Sequence, residues 1–207
     1  MELLITGIEN MTIICGERDD IRPIFNWRGV MMYGGNVKTI DWSSRGLAGS
    51  MDILWLPDTL ENLDVSMNKL EQSIDLSLLP PTVVEIDLSM NIFGGTVNLR
   101  NLPIGMRGFD IAYNDFFGTL DLEGIPQSLR TVYLGGNLFS GSICLVRLPP
   151  GLKCISVSSN ELCGSVDLTQ LPPGLESLSL RNNMFSGETD FSHLPLPLET
   201  LHLSDTD

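Results

Sequence analysis

Eight positions that recur every 23 residues carry most of the side chains that could recognise a partner. The first four are aspartates, and a tyrosine, two serines and a histidine follow: Asp41, Asp64, Asp87, Asp110, Tyr133, Ser156, Ser179 and His202. If successive units form neighbouring strands, equivalent residues lie about 5 Å apart. Carboxylates at that spacing repel one another, which raises their pKa values and favours a partner with positive charge. Glu85, in an adjacent column, adds to the negative charge.

This acidic row predicts a docking strip for Lys or Arg side chains, or an adventitious cation site. Plain duplication is the alternative, because a repeat copies its surface residues together with its core. Beyond the aspartates the row becomes aromatic and small, and Tyr113 and Tyr133 are candidates for an anchor pocket, unless they only cover an exposed strand. The candidate partner-binding residues are Asp41, Asp64, Glu85, Asp87, Asp110, Tyr113, Tyr133, Ser156, Ser179, Arg181 and His202.

The sequence contains no motif of a catalytic, metal or cofactor site. Its two histidines, His193 and His202, form no HExxH motif, and no GxSxG, P-loop or dinucleotide-binding pattern occurs. The four cysteines lack the CxxC spacing of a zinc site. We therefore expect a protein that is not an enzyme, with no catalytic residue, no metal site and no cofactor.

These residues belong to a repeated unit that is clearest at 148–193, where LPPGLKCISVSSNELCGSVDLTQ precedes LPPGLESLSLRNNMFSGETDFSH. The segment L-x-x-L-x-L predicts a short strand with apolar side chains inward. An Asn column after it predicts a ladder of amides bonded to the backbone. A Leu or Phe column predicts a buried spine, and a Gly column predicts turns with positive φ. Triplets such as Ile74–Leu76 predict a second extended segment, where a second Asp column serves turn bonding or solubility.

Stacked units of this kind bury one another's apolar faces, so the chain is predicted to form a single array. Residues 1–32 do not match the repeat and are predicted to form an N-terminal cap. The repeats occupy 33–207, as units 33–55, 56–78, 79–101, 102–124, 125–147, 148–170, 171–193 and a partial unit 194–207.

The repeat LPxxLxxLxLxxNxFSGxIDLxx resembles the leucine-rich repeat family, and Asn137–Ile143 resembles its plant-type subclass. Asn26–Val30 is similar to the end of that subclass's N-terminal cap, but the paired cap cysteines are missing. The resemblance implies an α/β-type, mostly β solenoid with little helix. It is expected to be right-handed, with a parallel concave sheet of about eight short strands. It also implies recognition of proteins on the concave face.

The charge balance narrows the class of partner. A net charge of −14 disfavours direct binding to nucleic acid and favours a basic protein surface. No apolar run approaches the roughly 18–20 residues that span a bilayer. No clear signal peptide and no cap disulfide are visible, which favours an intracellular location and leaves an extracellular or surface location open.

We therefore expect a scaffold that binds a basic protein through its acidic and Tyr/Ser concave face. One alternative is a structural subunit of a larger assembly, held by its ends and convex face. Another is the recognition module of a longer effector or receptor.

Overall fold

The computed structural model describes residues 1–17 and 20–204. The N-terminal part contains α1 (Glu2–Ile5), α2 (Thr12–Cys15) and a 3-10 turn at Ile24–Asn26. The strands of the described chain are β1 Val30–Tyr33, β2 Asn36–Asp41, β3 Ala48–Gly49, β4 Asn62–Asp64, β5 Lys69–Ser73, β6 Glu85–Asp87, β7 Ile92–Thr96, β8 Gly108–Asp110, β9 Asp115–Gly118, β10 Thr131–Tyr133, β11 Leu138–Gly141, β12 Cys154–Ser156, β13 Glu161–Gly164, β14 Ser177–Ser179, β15 Met184–Phe185 and β16 Thr200–His202. Further 3-10 turns lie at Ile53–Trp55, Leu76–Leu78, Leu99–Asn101 and Leu122–Gly124. The last positions of the predicted eighth unit, 205–207, lie outside the described residues.

One strand from each unit joins a nine-stranded sheet of order β1-β2-β4-β6-β8-β10-β12-β14-β16. From β2 onward all neighbours are parallel, and their partners are one unit apart, as Tyr133 and Ser156 are. The predicted parallel sheet and the low helix content are confirmed. β1 is an addition that the repeat did not indicate, because it pairs antiparallel with β2. The predicted boundary between cap and repeats, at residue 33, lies inside β1.

A second sheet has the order β15-β13-β11-β9-β7-β5-β3 and lies earlier in each unit than predicted. Its strands start directly after the Asn column, as β11 does after Asn137. In four units the triplet position leads into a single 3-10 turn instead, capped by Asp52, Asp75, Asn98 or Asp121, and Asp167 and Asp190 accept the same kind of bond in ordinary turns. Asp75 Oδ1, for example, accepts a hydrogen bond of 2.9 Å from Ser77 N. This column therefore serves turn bonding.

The predicted Asn ladder is confirmed and links each unit to its neighbour. Asn114 Oδ1 accepts from Phe93 N at 3.0 Å, and its Nδ2 donates to Leu88 O at 3.0 Å and to Ile111 O at 3.1 Å. The same bonds recur at Asn68, Asn91, Asn137, Asn160 and Asn183. Each amide satisfies backbone groups that no strand pairs, and buried groups of that kind are costly when left unpaired.

The core lies inside the coil and contains the predicted Leu and Phe spine. Phe93, Phe116 and Phe139 are almost completely buried. The rings of Phe116 and Phe139 stack with centroids 6.5 Å apart. The Gly column turns with positive φ as predicted, and Gln72, its exception, keeps the conformation with φ of 98°.

The N-terminal segment covers the first edge of both sheets. β1 pairs with β2, and Ile8 forms an antiparallel bridge with Gly49 of β3. Asn10 Oδ1 accepts from Ala48 N at 3.1 Å. Below β2 the indole of Trp42 is fully buried. The first repeat strand of each sheet, β2 or β3, therefore has a backbone partner on both sides.

Candidate partner-binding face

The predicted acidic row follows the side of the nine-stranded sheet that points away from the core, which we call the open face. Each aspartate ends a strand and accepts a hydrogen bond from the amide two residues later. Asp64 Oδ1 accepts from Ser66 N at 2.9 Å, and Asp110 Oδ1 accepts from Ala112 N at 2.8 Å. Asp41 and Asp87 make the same contact. Asp is thus favoured here for a structural reason, because a short side chain closes the turn.

The second carboxylate oxygen of these residues is left for other contacts. Among the described residues, no hydrogen bond or ion pair uses Oδ2 of Asp64, Asp87 or Asp110. A fold that needed only the turn bond could use Ser, as it does at Ser156, whose Oγ lies 3.5 Å from Ser158 N. The charge is therefore additional to the structural role.

Asp110 is the most perturbed carboxyl group of the row. Its burial raises the pKa to about 6, and the charges of Asp87 and Asp64 contribute in the same direction. Asp41, at the first strand, behaves in the opposite way, because hydrogen bonds from Ser43 lower the pKa of its carboxyl group. The raised pKa that the sequence predicts from repulsion is thus found at Asp110, where burial is the main cause and repulsion adds to it.

Tyr133 occupies the next position in the row. Its side chain does not accept the turn hydrogen bond that the aspartates accept, because a phenol is too long. Its side chain is half-buried. Burial raises the pKa of Tyr133, and the neighbouring Cys154 thiol and Asp110 carboxylate raise it further. The hydroxyl group stays protonated at neutral pH, as in an ordinary tyrosine, and forms a hydrogen bond with the Cys154 thiol.

Two cavities of the open face meet at Asp110 and Tyr133. The first has a volume of about 350 Å³ and contains several of the predicted residues, with others that the sequence did not single out. It is lined by Thr39, Asn62, Leu63, Asp64, Glu85, Ile86, Asp87, Gly108, Phe109, Asp110, Thr131 and Tyr133. Four carboxylates therefore share one cavity, and no Lys or Arg is among its lining residues.

The second cavity, also about 350 Å³, lies at the other side of Asp110. It is lined by Ser89, Met90, Asp110, Ala112, Tyr113, Tyr133, Gly135, Ser156 and Ser158. The two tyrosines and Ser156 thus come together as the anchor-pocket hypothesis requires. Four other candidates, Asp41, Ser179, Arg181 and His202, line neither cavity.

Sequence reasoning missed an exposed apolar row beside the acids. The residue before each Asn of the ladder has a left-handed backbone, and the column consists of Ser44, Met67, Met90, Tyr113, Gly136, Ser159 and Asn182, with φ between 54° and 66°. Gly and Asn tolerate this conformation, whereas Met and Tyr there cost about 1 kcal/mol. Met67, Met90 and Tyr113 are nevertheless 54%, 49% and 60% exposed. Strain combined with exposed apolar surface is typical of a binding site.

Other kinds of site find little support in the described part of the chain. Within residues 1–17 and 20–204, no group of three or more His, Cys, Asp or Glu residues is arranged to hold a metal ion. Cys144, Cys154 and Cys163 are free thiols. The same residues include no helix with the length and apolar character needed to cross a bilayer.

The chain is similar to several solved structures with the same architecture. The Arabidopsis receptor kinase HAESA, in complex with the peptide hormone IDA and the co-receptor SERK1, matches with a TM-score of 0.57 and 25% identity, over 72% of this chain and 26% of that one. The LRR ectodomain of the receptor kinase GASSHO1/SCHENGEN3 from Arabidopsis thaliana, in complex with CASPARIAN STRIP INTEGRITY FACTOR 2, matches with a TM-score of 0.63 and 20% identity, over 96% and 28%. A plant ice-binding protein matches with a TM-score of 0.73 and 20% identity, over 99% and 77%.

These likenesses establish the architecture, and the chain spans about a quarter of the length of the two receptor chains. No protein-family model and no curated protein sequence matches it. Any conclusion about a binding partner must therefore rest on the residues of the open face.

Proposed function

Because the chain is a leucine-rich-repeat solenoid with plant-type-like units, we propose that it is a non-catalytic scaffold that binds a basic protein through its open face. The solved structure of HAESA, to which it is similar, is a complex with the peptide hormone IDA and the co-receptor SERK1. That likeness supports protein binding in general. The basic character of the partner rests on this chain's own residues.

The observation that carries the proposal is the acidic cavity. Asp64, Asp87 and Asp110 lie on three adjacent strands with Glu85 beside them, and no Lys or Arg lines the cavity. Like charges held this close lower stability unless a cation compensates them. The turn bond does not require the charge, so a basic side chain of a partner accounts for it best. The net charge of −14 also steers a basic surface toward the chain.

The exposed row of Met67, Met90 and Tyr113 supplies the apolar part of the same surface. Interfaces combine apolar anchors with polar groups that set orientation, and Met and Tyr are common among the anchors. In three consecutive units the apolar residue follows the aspartate of the row by three positions. An aspartate and an exposed apolar residue are thus repeated together along the sheet.

The proposal is tested by removing charge while keeping the turn bond. Asn can accept the same amide hydrogen bond as Asp, so Asp64→Asn/Asp87→Asn removes two charges and preserves the strand ends. Immobilised chain should capture a set of basic proteins from a lysate, and this variant should lose most of that set at physiological ionic strength.

The matched control is Glu71→Gln/Glu161→Gln, which removes two charges from exposed positions of the second sheet. It should capture the same proteins as the unaltered chain. If the open-face variant also captures the same set, or if the captured proteins are not basic, the proposal is wrong.

A second candidate function, a structural subunit of a larger assembly, is favoured by one feature of the other sheet. Its outward side exposes Ile92, Phe117, Leu138 and Met184, each about half exposed. Phe117 and Leu138 are register partners on adjacent strands, so they form a continuous apolar contact.

Under this alternative the isolated chain should self-associate through the second sheet. Phe117→Ser/Leu138→Ser should then shift the chain to monomer in sedimentation experiments, whereas a binding scaffold should be monomeric without these changes. A recognition module of a longer effector or receptor would bind through the same open face, and its partner test is the one already given.

A further inference from the structure

Two adjacent glycines lie at the second cavity of the open face: Gly135 lines it, and Gly136 lies against the ring of Tyr113, which also lines it. A Cβ atom on Gly136 would lie 2.6 Å from Cδ1 of Tyr113, so the phenol ring rests directly on the backbone there. A Cβ atom on Gly135 would lie 2.8 Å from Oγ of Ser158. Any side chain at these positions would displace the ring or fill the space. The pocket therefore depends on two residues that the neighbouring units do not share.

The walls of this pocket combine aromatic rings with one carboxylate. Tyr113 and Tyr133 provide the aromatic surfaces, Met90 adds a thioether, and Asp110 lies at the border with the acidic cavity. The hydroxyls of Ser156 and Ser158 lie 3.0 Å apart at the remaining side. Aromatic faces attract cations, most strongly when water is excluded. An apolar stem that ends in a positive charge matches this combination.

We propose that the Tyr113–Tyr133 pocket binds one lysine side chain of the partner, with its ammonium group on Asp110. This inference rests on the proposed function and specifies the chemistry of its main contact. A purely apolar side chain would bury the Asp110 carboxylate further without a counter-charge, which is unfavourable. The lysine stem instead lies against the rings and Met90, and its terminal ammonium group reaches the Asp110 carboxylate.

Arginine fits the same pocket less well, for a geometric reason. A guanidinium group binds carboxylates best through two parallel hydrogen bonds, which require both oxygens. Oδ1 of Asp110 already accepts from Ala112 N at 2.8 Å. The remaining oxygen offers a single contact, which a compact ammonium group can use fully.

The test is a titration of the purified full chain, labelled with nitrogen-15, with three small probes. These are Nα-acetyl-lysine amide, Nα-acetyl-arginine amide, and Nα-acetyl-norleucine amide, which has the apolar stem without the charge. The lysine probe should shift the amide resonances of Tyr113, Gly135 and Gly136. It should bind at least about 10-fold more tightly than norleucine and more tightly than arginine. Equal or tighter binding of norleucine or arginine would overturn the inference.

Variants then separate the contributions of charge and ring. Asp110→Asn keeps the turn acceptor and should reduce lysine binding about 10-fold, while norleucine binding stays unchanged. Tyr133→Leu should reduce lysine binding about threefold through loss of the cation–π contact. Asp115→Asn, at an exposed position of the second sheet and outside both cavities, is the control and should not change lysine binding. Unchanged lysine binding in Asp110→Asn would contradict the assignment, and the same spectra verify that each variant is folded.

Failure of this inference can be told apart from failure of the proposed function. If the lysine probe does not bind but Asp64→Asn/Asp87→Asn still loses its partners, only the pocket assignment is wrong. If the probe binds and the partners are unaffected by that variant, the pocket stands and the acidic face is not the docking surface.

Discussion

The ionisation of Asp110 couples the open face to the stability of the chain. Its pKa, raised to about 6 mainly by burial, lies above the value of an unfolded aspartate, 3.8. The folded state therefore disfavours the charged form. The resulting loss of stability is complete above pH 6 and disappears below pH 4, where both states are protonated.

We expect Asp110→Asn to stabilise the chain by about 1 kcal/mol at pH 7.5, after allowance for the partial exposure of the group. The gain should decline to nearly zero at pH 4, measured by urea unfolding across that range. Asp41→Asn provides a control of opposite sign, because the pKa of Asp41 is lowered by hydrogen bonds from Ser43. A gain for Asp110→Asn that does not depend on pH would contradict the explanation.

Met90 illustrates a residue whose type conflicts with its backbone. Its φ of 55° suits Asn, and its side chain is 49% exposed. Met90→Asn should raise the free energy of unfolding by about 1 kcal/mol and weaken partner binding, because strain and contact surface are removed together. Met184 is equally exposed at 49% but belongs to β15. Met184→Asn should therefore give no gain, and an equal gain there would exclude strain as the cause.

At the scale of elements, the Asn ladder holds the two sheets in register. Asn114→Ala leaves Phe93 N and the carbonyl groups of Leu88 and Ile111 without their partners in a buried position. We expect a loss of about 3 kcal/mol in urea unfolding. The control is Asn98→Ala, which removes a single exposed contact to Arg100 N and should cost about 1 kcal/mol. Equal losses would mean that the ladder contributes no more than a turn cap.

At the scale of the whole molecule, the charge of −14 opposes the compact state. Raising NaCl from about 20 to 200 mM should increase the thermal midpoint, because salt screens repulsion between surface charges. Asp64→Asn/Asp87→Asn should respond less to salt than the unaltered chain. A midpoint that falls with salt would instead indicate that attractive ion pairs, such as Lys38–Glu61 and Lys153–Glu176, dominate the surface.

Periodicity made the architecture predictable, because equivalent Leu, Asn and Gly residues must occupy equivalent places in a stack. The parallel sheet, the ladder and the positive-φ turns follow directly from those columns. Spacing alone does not determine the backbone between columns. The I-D-L triplets therefore predict a second extended segment at a place where, in four units, an Asp or Asn cap starts a 3-10 turn.

The candidate site was predictable only in part, for a similar reason. The acidic row is visible as a column, and so is its change to Tyr133. The backbone strain at Met67 and Met90 could not be predicted from the sequence. A left-handed φ is recognisable in a sequence only where one residue type, such as Gly, recurs, and this column contains many types. The pocket beside Gly136 also depends on how the Tyr113 ring leans across to the next unit, which spacing cannot show.

The bonds of the Asn ladder have a consequence for the ancestry of the chain. The Oδ1 atom of each ladder Asn and one of its Nδ2 bonds reach the preceding unit, so the junctions that these residues make are chemically the same. Recombination that duplicates or deletes one whole unit leaves all remaining junctions intact. The length of the array can thus change in single heritable steps, while point substitutions in the open-face columns alter recognition without disturbing any junction.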